Sequence, residues 1–200
     1  MERRQIHKAE IWIAAQANLL TDMQFARWLP YVGEKKAAQL QKMRQSKAKE
    51  SLVGLLLAKY AIYRRWGLPF SAVQFGAGTH GKPYALGQEQ VHFNVSHSGG
   101  VCVCAVDDEP IGVDIQEMKP CRFDAIAERF FTPLEQRLYH EQGGDKLAFY
   151  RMWTKRESVG KYLSTGFFYA AEQDTADWHT AHMLHREKYM ICVCKRNKIY

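Results

Sequence analysis

Two β-rich runs, Val91–Val95 and Val101–Val106, are separated only by Ser96-His97-Ser98-Gly99-Gly100. Strand-forming residues on both sides of a short glycine-containing connection predict a hairpin, and a hairpin commits the middle of the chain to antiparallel pairing. Helical segments flank it. Gly33 opens a long basic helix, Glu34–Trp66, with Leu40, Met43, Leu52, Leu55, Leu56 and Tyr63 among its apolar positions, and Gly67-Leu68-Pro69 closes it. Phe149–Gly166 reads as a second amphipathic helix. Tyr150, Met152 and Trp153 supply its apolar side and Gly166 its stop.

The other segments fit between these. Ala9–Leu19 carries Ile11, Trp12 and Ile13 and predicts a strand; Asp22–Leu29 predicts a helix with Thr21-Asp22 at its start and Pro30 at its end. Val73–Phe75 and Ile111–Ile115 predict short strands. Phe123–Phe131 and Leu134–Gln142 predict helices broken at Thr132-Pro133, with Thr132 as N-cap. Residues 167–200 read as strands, Met190–Cys194 most clearly. The acidic turn Asp107–Pro110 suggests a boundary between halves 1–107 and 108–200. A faint echo links them: Glu50-Ser-Leu-Val-Gly54 with Glu157-Ser-Val-Gly160, and Val101-Cys-Val-Cys104 with Ile191-Cys-Val-Cys194. The order helix then strand repeats, which favours two similar subdomains.

With 200 residues, 46% hydrophobic and 24% charged, the chain can bury a sizeable core, and its composition argues against disorder as its main state. Its net charge of +7 implies an acidic partner without choosing among nucleic acid, phosphorylated ligand, membrane surface and protein. No zinc-finger or RNP-type signature supports nucleic acid. No apolar run approaches a membrane span of about 20 residues. Near the start, Glu10 and Gln16 bracket an apolar run of only five, short of a secretory signal core of about 7–15 residues. The expectation is a cytoplasmic protein with reduced thiols, and the odd number of cysteines, five, argues against a disulfide framework.

Several residues invite chemistry. Glu157 and Lys161 are four apart and share a helix face; alone, such a pair reads as a surface ion pair. Asp114 sits in the apolar strand Ile111-Gly-Val-Asp-Ile115, facing away from Val113 and Ile115. Two carboxylates plus substrate phosphates are a common way of holding Mg²⁺, and Asp114 and Glu157 are the candidate pair. Ser96 and His97, adjacent on a strand, diverge too much for a nucleophile–base pair, and no G-x-S-x-G elbow is present. A hairpin that contacts an anion fits better. Gly81-Lys82-Pro83 offers an ammonium on a stiffened loop without the spacing of a P-loop; alone it reads as an exposed loop lysine. The pairs Cys102/Cys104 and Cys192/Cys194 read as small buried side chains, since zinc sites favour C-x₂₋₄-C. The remaining histidines show no ligand spacing.

Taken in order, Gly81-Lys-Pro, Phe93-Asn-Val-Ser-His-Ser, Gly112-Val-Asp-Ile, Phe130-Phe-Thr-Pro-Leu-Glu and Trp153-Thr-Lys-Arg-Glu-Ser-Val-Gly-Lys form a set. It resembles the 4′-phosphopantetheinyl transferases of the larger pseudo-dimeric, surfactin-synthetase-activating type, over roughly Lys35 to Gly166. The resemblance implies an α+β fold: a pseudo-dimer of two similar α/β halves, each a small antiparallel sheet packed on a long helix, with the active site between them. It implies transfer of 4′-phosphopantetheine from coenzyme A to a serine hydroxyl of an acyl or peptidyl carrier protein, releasing 3′,5′-ADP. It implies Asp114, Gln116 and Glu157 at Mg²⁺, with Glu157 also the base for the carrier serine, directly or through water. Lys161 would touch the pyrophosphate, and Ser96 and His97 the phosphates. Gly81, Lys82 and Pro83 would surround the adenine end, with Lys35, Arg44 and Ser51 near the 3′-phosphate. Glu135 would help position water or the base.

Two departures stand out. Gln116 replaces the family's usual second acid, which implies weaker Mg²⁺ binding or a changed metal preference. Arg156 replaces the usual lysine before Glu157, with Lys155 one residue earlier. The expectation is a monomer that receives the acidic surface of its carrier. The competing readings are a coenzyme A-binding homologue that has lost catalysis and a basic nucleic-acid-binding protein.

Overall fold

The computed structural model describes residues 1–6, 8–78, 81–167 and 178–196. The chain divides into two compact units, Met1–Ile111 and Gly112–Tyr200. The division falls four residues beyond the end of the acidic strand terminus at Asp107, which itself is buried and accepts a hydrogen bond from the Glu109 N–H.

The first unit is built on an antiparallel sheet of β1 (Glu2–Ile6), β2 (Ala9–Ala14), β5 (His92–Ser98) and β6 (Val101–Asp107), in the order β1-β2-β6-β5. The hairpin expected from the Val-rich runs is β5–β6, turned at Gly99 and Gly100 with φ of 55° and 79°. A second, two-stranded ladder pairs β3 (Phe75–Ala77) with β4 (Pro83–Ala85). Helices α1 (Asp22–Trp28), α2 (Glu34–Gln41) and α3 (Gln45–Trp66) complete the unit. From α3, Leu57, Ala58, Ala61 and Ile62 pack with Trp12, Phe93, Cys102 and Cys104 of the sheet.

The expected single helix Glu34–Trp66 is two helices, with Arg44 extended at the start of α3. Burial explains the break. Leu40 and Leu52 are both fully buried and share one cluster with Leu29, Val32 and Leu55. In a continuous helix, twelve residues would hold them about 18 Å apart. The expected strand Ala9–Leu19 likewise ends at Ala14, where Gln16 turns left-handed (φ 65°) into a 3₁₀ turn at Ala17–Leu19.

The second unit carries the antiparallel sheet β7 (Gly112–Glu117), β8 (Trp178–His185) and β9 (Tyr189–Arg196), in the order β7-β9-β8. Helices α4 (Phe123–Phe130), α5 (Pro133–Glu141) and α6 (Lys146–Leu163) accompany it. β8 and β9 answer the expectation of strands in the C-terminal stretch; residues 168–177 and 197–200 lie outside the described set. Helix α6 begins and ends earlier than its sequence suggests. Asp145 caps it by accepting from the Ala148 N–H at 2.8 Å, and Ser164, left-handed at φ 57°, ends it ahead of Gly166.

Gly112 sets the spacing between α6 and β7. A Cβ there would stand 2.1 Å from the carbonyl oxygen of Ser158. Four of the five cysteines, Cys102, Cys104, Cys192 and Cys194, are buried free thiols. Burial holds the Cys102 thiol up at about 12, so it behaves as a small apolar side chain. The two units therefore repeat one design in an α+β fold: a long helix on a small antiparallel sheet.

Thr132 forms a capping box with Glu135 at the start of α5. Its hydroxyl accepts from the Glu135 N–H at 3.3 Å, and the Glu135 carboxylate accepts from the Thr132 N–H at 2.8 Å. Thr132→Ala removes one half of that exchange and is expected to cost about 1 kcal/mol in a urea titration of the intact chain.

Candidate active site

In the second unit, Gly112 and Asp114 share a face of β7, and α6 lies against that face. The alternation of the strand aims Asp114 at the helix, leaving Val113 and Ile115 on the other side, both fully buried. The Asp114 side chain is 1% exposed, and its Oδ1 accepts from Lys161 Nζ at 2.5 Å. Gln116, two residues along the strand, donates from Nε2 to Asp114 Oδ2 at 3.2 Å. Glu157 stands one helical turn before Lys161, and its carboxyl is pushed above the ordinary carboxylate range. Burial is the main cause. The nearby charge of Asp114 adds to it, and Lys161 opposes both.

Asp114, Gln116, Glu157 and Lys161 are thus one cluster, carried by one strand and one helix. Its chemistry suits a hard divalent cation: a buried carboxylate, Asp114, and a half-buried one, Glu157, beside an amide. The amide now directs its nitrogen at Asp114. Rotation about its last bond exchanges nitrogen for oxygen at little cost in shape. Among the described residues, no group of three or more His, Cys, Asp and Glu side chains is arranged to hold a metal; the Asp–Glu–Gln set is of different composition.

Glu135 does not face this cluster. Its carboxylate is engaged by Thr132 and by the guanidinium of Arg156, which also donates to the Phe130 carbonyl. Arg156 is 3% exposed and lies 4.8 Å from the Phe167 ring centre. A carboxylate spent on a buried cation and a helix cap has little capacity left to position water, so the Glu135–Arg156 pair holds α5 to α6. The arginine at this place is structural where the resemblance expects a lysine.

The first unit holds a cleft of about 190 Å³ lined by Lys36, Ser51, Gly54, Leu55, Gly81, Pro83, Val95 and His97. Ser51, Gly81, Pro83 and His97, which the resemblance assigns to different parts of the nucleotide, all line this cleft. Ser96, next to His97 on β5, is buried on the opposite face by strand alternation. A neighbouring hollow of about 250 Å³ takes Lys35 and Lys36 with Phe75, Gly76 and Tyr84. Lys82 lies between Gly81 and Pro83 and its carbonyl accepts from the Gly78 N–H at 2.8 Å. Arg44 stands at the N-cap of α3, and the described linings of both hollows omit it.

Two residues were missed in the sequence. Lys36 lines both hollows, and burial lowers the affinity of its amine for a proton. Glu50, 6% exposed on α3, places Oε2 3.1 Å from His97 Nδ1. The signal for Glu50 was present in the echo, where it occupies the place that Glu157 takes in the second half.

Two family models meet near the division between the units. Residues 110–197 match the model described as the 4′-phosphopantetheinyl transferase superfamily, and residues 20–109 match that of the 4′-phosphopantetheinyl transferase N-terminal region. The chain belongs to the 4′-phosphopantetheinyl transferase superfamily. A 4′-phosphopantetheinyl transferase of Bacillus subtilis is 42% identical over 123 residues, covering 60% of this chain and 54% of the relative. Psf-1 of Bacillus pumilus is 35% identical over 150 residues, covering 74% and 64%. Sfp of Bacillus subtilis strain 168 is 32% identical over 143 residues, covering 70% and 63%. The chain therefore spans a little over half to under two thirds of these relatives' lengths. No helix among the described residues is long and apolar enough to cross a membrane.

Proposed function

We propose that the chain transfers the 4′-phosphopantetheine group from coenzyme A to a serine hydroxyl of an acyl or peptidyl carrier protein, releasing 3′,5′-ADP. The observation that carries this reading is the cluster of Asp114, Glu157 and Lys161, found in a chain whose two halves match models of that superfamily.

Attack on a phosphorus already surrounded by negative charge needs neutralisation and alignment more than covalent assistance. Asp114, Glu157 and the amide oxygen of Gln116 would hold Mg²⁺, which supplies charge neutralisation at the pyrophosphate. Lys161, leaving Asp114 for a phosphate oxygen, stabilises the charge that grows on the departing 3′,5′-ADP. Glu157 accepts the serine proton, directly or through one water; a hydroxyl is a weak nucleophile until its proton has a destination. In the first unit, His97, Ser51 and Lys36 offer donors to a second phosphate, and Gly81 and Pro83 a surface for the adenine end.

The net charge of +7 suits an acidic carrier surface, with association that weakens as salt is added. The protein acts as a cytoplasmic monomer in this reading.

The test mixes the protein with coenzyme A, MgCl₂ and a panel of apo-carrier proteins, then weighs each carrier. The expected result is a gain of one phosphopantetheine mass, abolished by EDTA and restored by excess MgCl₂. Carriers of unchanged mass across all metals tried, despite calorimetric binding of coenzyme A, would establish the rival suggested by Gln116: a homologue that binds without transferring. Retention on heparin with no coenzyme A-dependent rise in Tm would instead favour nucleic acid.

A further inference from the structure

Glu50 lies outside the cluster on β7 and α6, yet it is among the most completely engaged acids of the first unit. Oε1 accepts from the Gly100 N–H at 2.9 Å, at the turn of the β5–β6 hairpin. Oε2 stands 3.4 Å from Lys47 Nζ and 3.1 Å from His97 Nδ1. The Glu50–His97 contact lacks the alignment of a hydrogen bond, so its grip on the ring is one of charge. The other ring nitrogen, Nε2, is 3.5 Å from Ser51 Oγ, and both residues line the cleft shared with Lys36, Gly81 and Pro83.

A carboxylate behind an imidazole favours the protonated ring, whose two nitrogens then both donate. Among the described residues, Glu50 stands beside this ring, Lys47 pairs with Glu50, Lys36 lines the same cleft, and Cys102 is opposite His97 in the strand register. The Glu50 carboxylate is anchored at the hairpin turn as well as at the ring.

We propose that Glu50 is a positioning residue that holds His97 as an imidazolium, so that Nε2–H and the Ser51 hydroxyl together bind a phosphoryl group of the substrate in this cleft. This inference rests on coenzyme A as the donor substrate. Glu50 touches no substrate itself. It acts through His97, as Glu157 at the matching place in the sequence echo acts directly at the cluster of the second unit.

A double-mutant cycle read by calorimetry with coenzyme A tests it. Glu50→Gln keeps an acceptor for the Gly100 N–H but loses the charge, and is expected to weaken binding about tenfold. His97→Asn is expected to weaken it by at least as much. In the double variant Glu50→Gln/His97→Asn, the loss of Glu50 should add nothing to that of His97, because the acid acts only through the ring. Glu50→Asp, which keeps the charge on a shorter arm, should recover part of the affinity. Binding by Glu50→Gln equal to that of the unaltered chain overturns the inference and leaves the coenzyme A reading intact. A full additional loss in the double variant also overturns it, assigning Glu50 a role in holding the hairpin alone. Failure of the unaltered chain to bind coenzyme A overturns both.

Discussion

Glu157→Gln lowers the rate of carrier modification by on the order of 10³-fold, within the range expected for removing a general base, while the folded protein becomes more resistant to heat. The two effects share a cause. Burial, and then the charge of Asp114, make the ionised Glu157 carboxylate costly in the folded state, and Lys161 offsets this in part. The net direction is upward, so this group favours folding at low pH, and that contribution is lost as pH rises through its raised folded value. Glutamine keeps the shape and removes the charge, so Tm measured near neutral pH without divalent cation should rise. Transfer fails because the amide cannot take the serine proton. Carrier mass against time and a thermal melt check the pair of outcomes. Near-normal turnover by Glu157→Gln would remove its role as base, and a lowered Tm would contradict the account of its burial.

The face that each member of that cluster takes was legible in the sequence because its signal is local, whereas the meeting of Asp114 with Lys161, 47 residues away, was implied only by the family resemblance. Spacing of four puts Glu157 and Lys161 on one helix face, and strand alternation separates Asp114 from Val113 and Ile115. What escaped was set by distant partners. The break between α2 and α3 follows from the burial of Leu40 beside Leu52, and nothing within Lys42-Met43-Arg44 announces it. β1 reads Glu-Arg-Arg-Gln-Ile, too charged to suggest a strand, yet it forms an edge against β2 with Arg3 and Glu10 3.0 Å apart. β4 opens on Pro83, which only an edge tolerates. Glu135 looked available because its partner, Arg156, lies 21 residues away. Glu50 was overlooked for the same reason, with His97 47 residues further along the chain.

The second large effect belongs to a residue with no side chain. Gly112→Ala is expected to destabilise the chain by about 3 kcal/mol, at the upper end of overpacking. The added Cβ would meet the Ser158 carbonyl oxygen at 2.1 Å, Cys194 Sγ at 2.8 Å and Tyr162 Cβ at 3.0 Å. Two of these belong to α6 and one to β9, and the nearest is a backbone atom of a buried helical turn, so no rotamer change relieves it. The relief available is for α6 to lift from β7. Ser158 is adjacent to Glu157, and Lys161 is one turn on, so the same displacement carries both away from Asp114. Stability and transfer should therefore fall together: a lower urea midpoint, and loss of carrier modification even at temperatures where the variant remains folded. Val113→Ala separates the two. It empties volume on the far side of the strand and lowers the urea midpoint by loss of packing, yet leaves the contact of α6 with β7 unaltered and should retain transfer. An unaltered midpoint for Gly112→Ala would mean that the helix is free to retreat without cost. The close approach would then not be what holds Glu157 and Lys161 against Asp114.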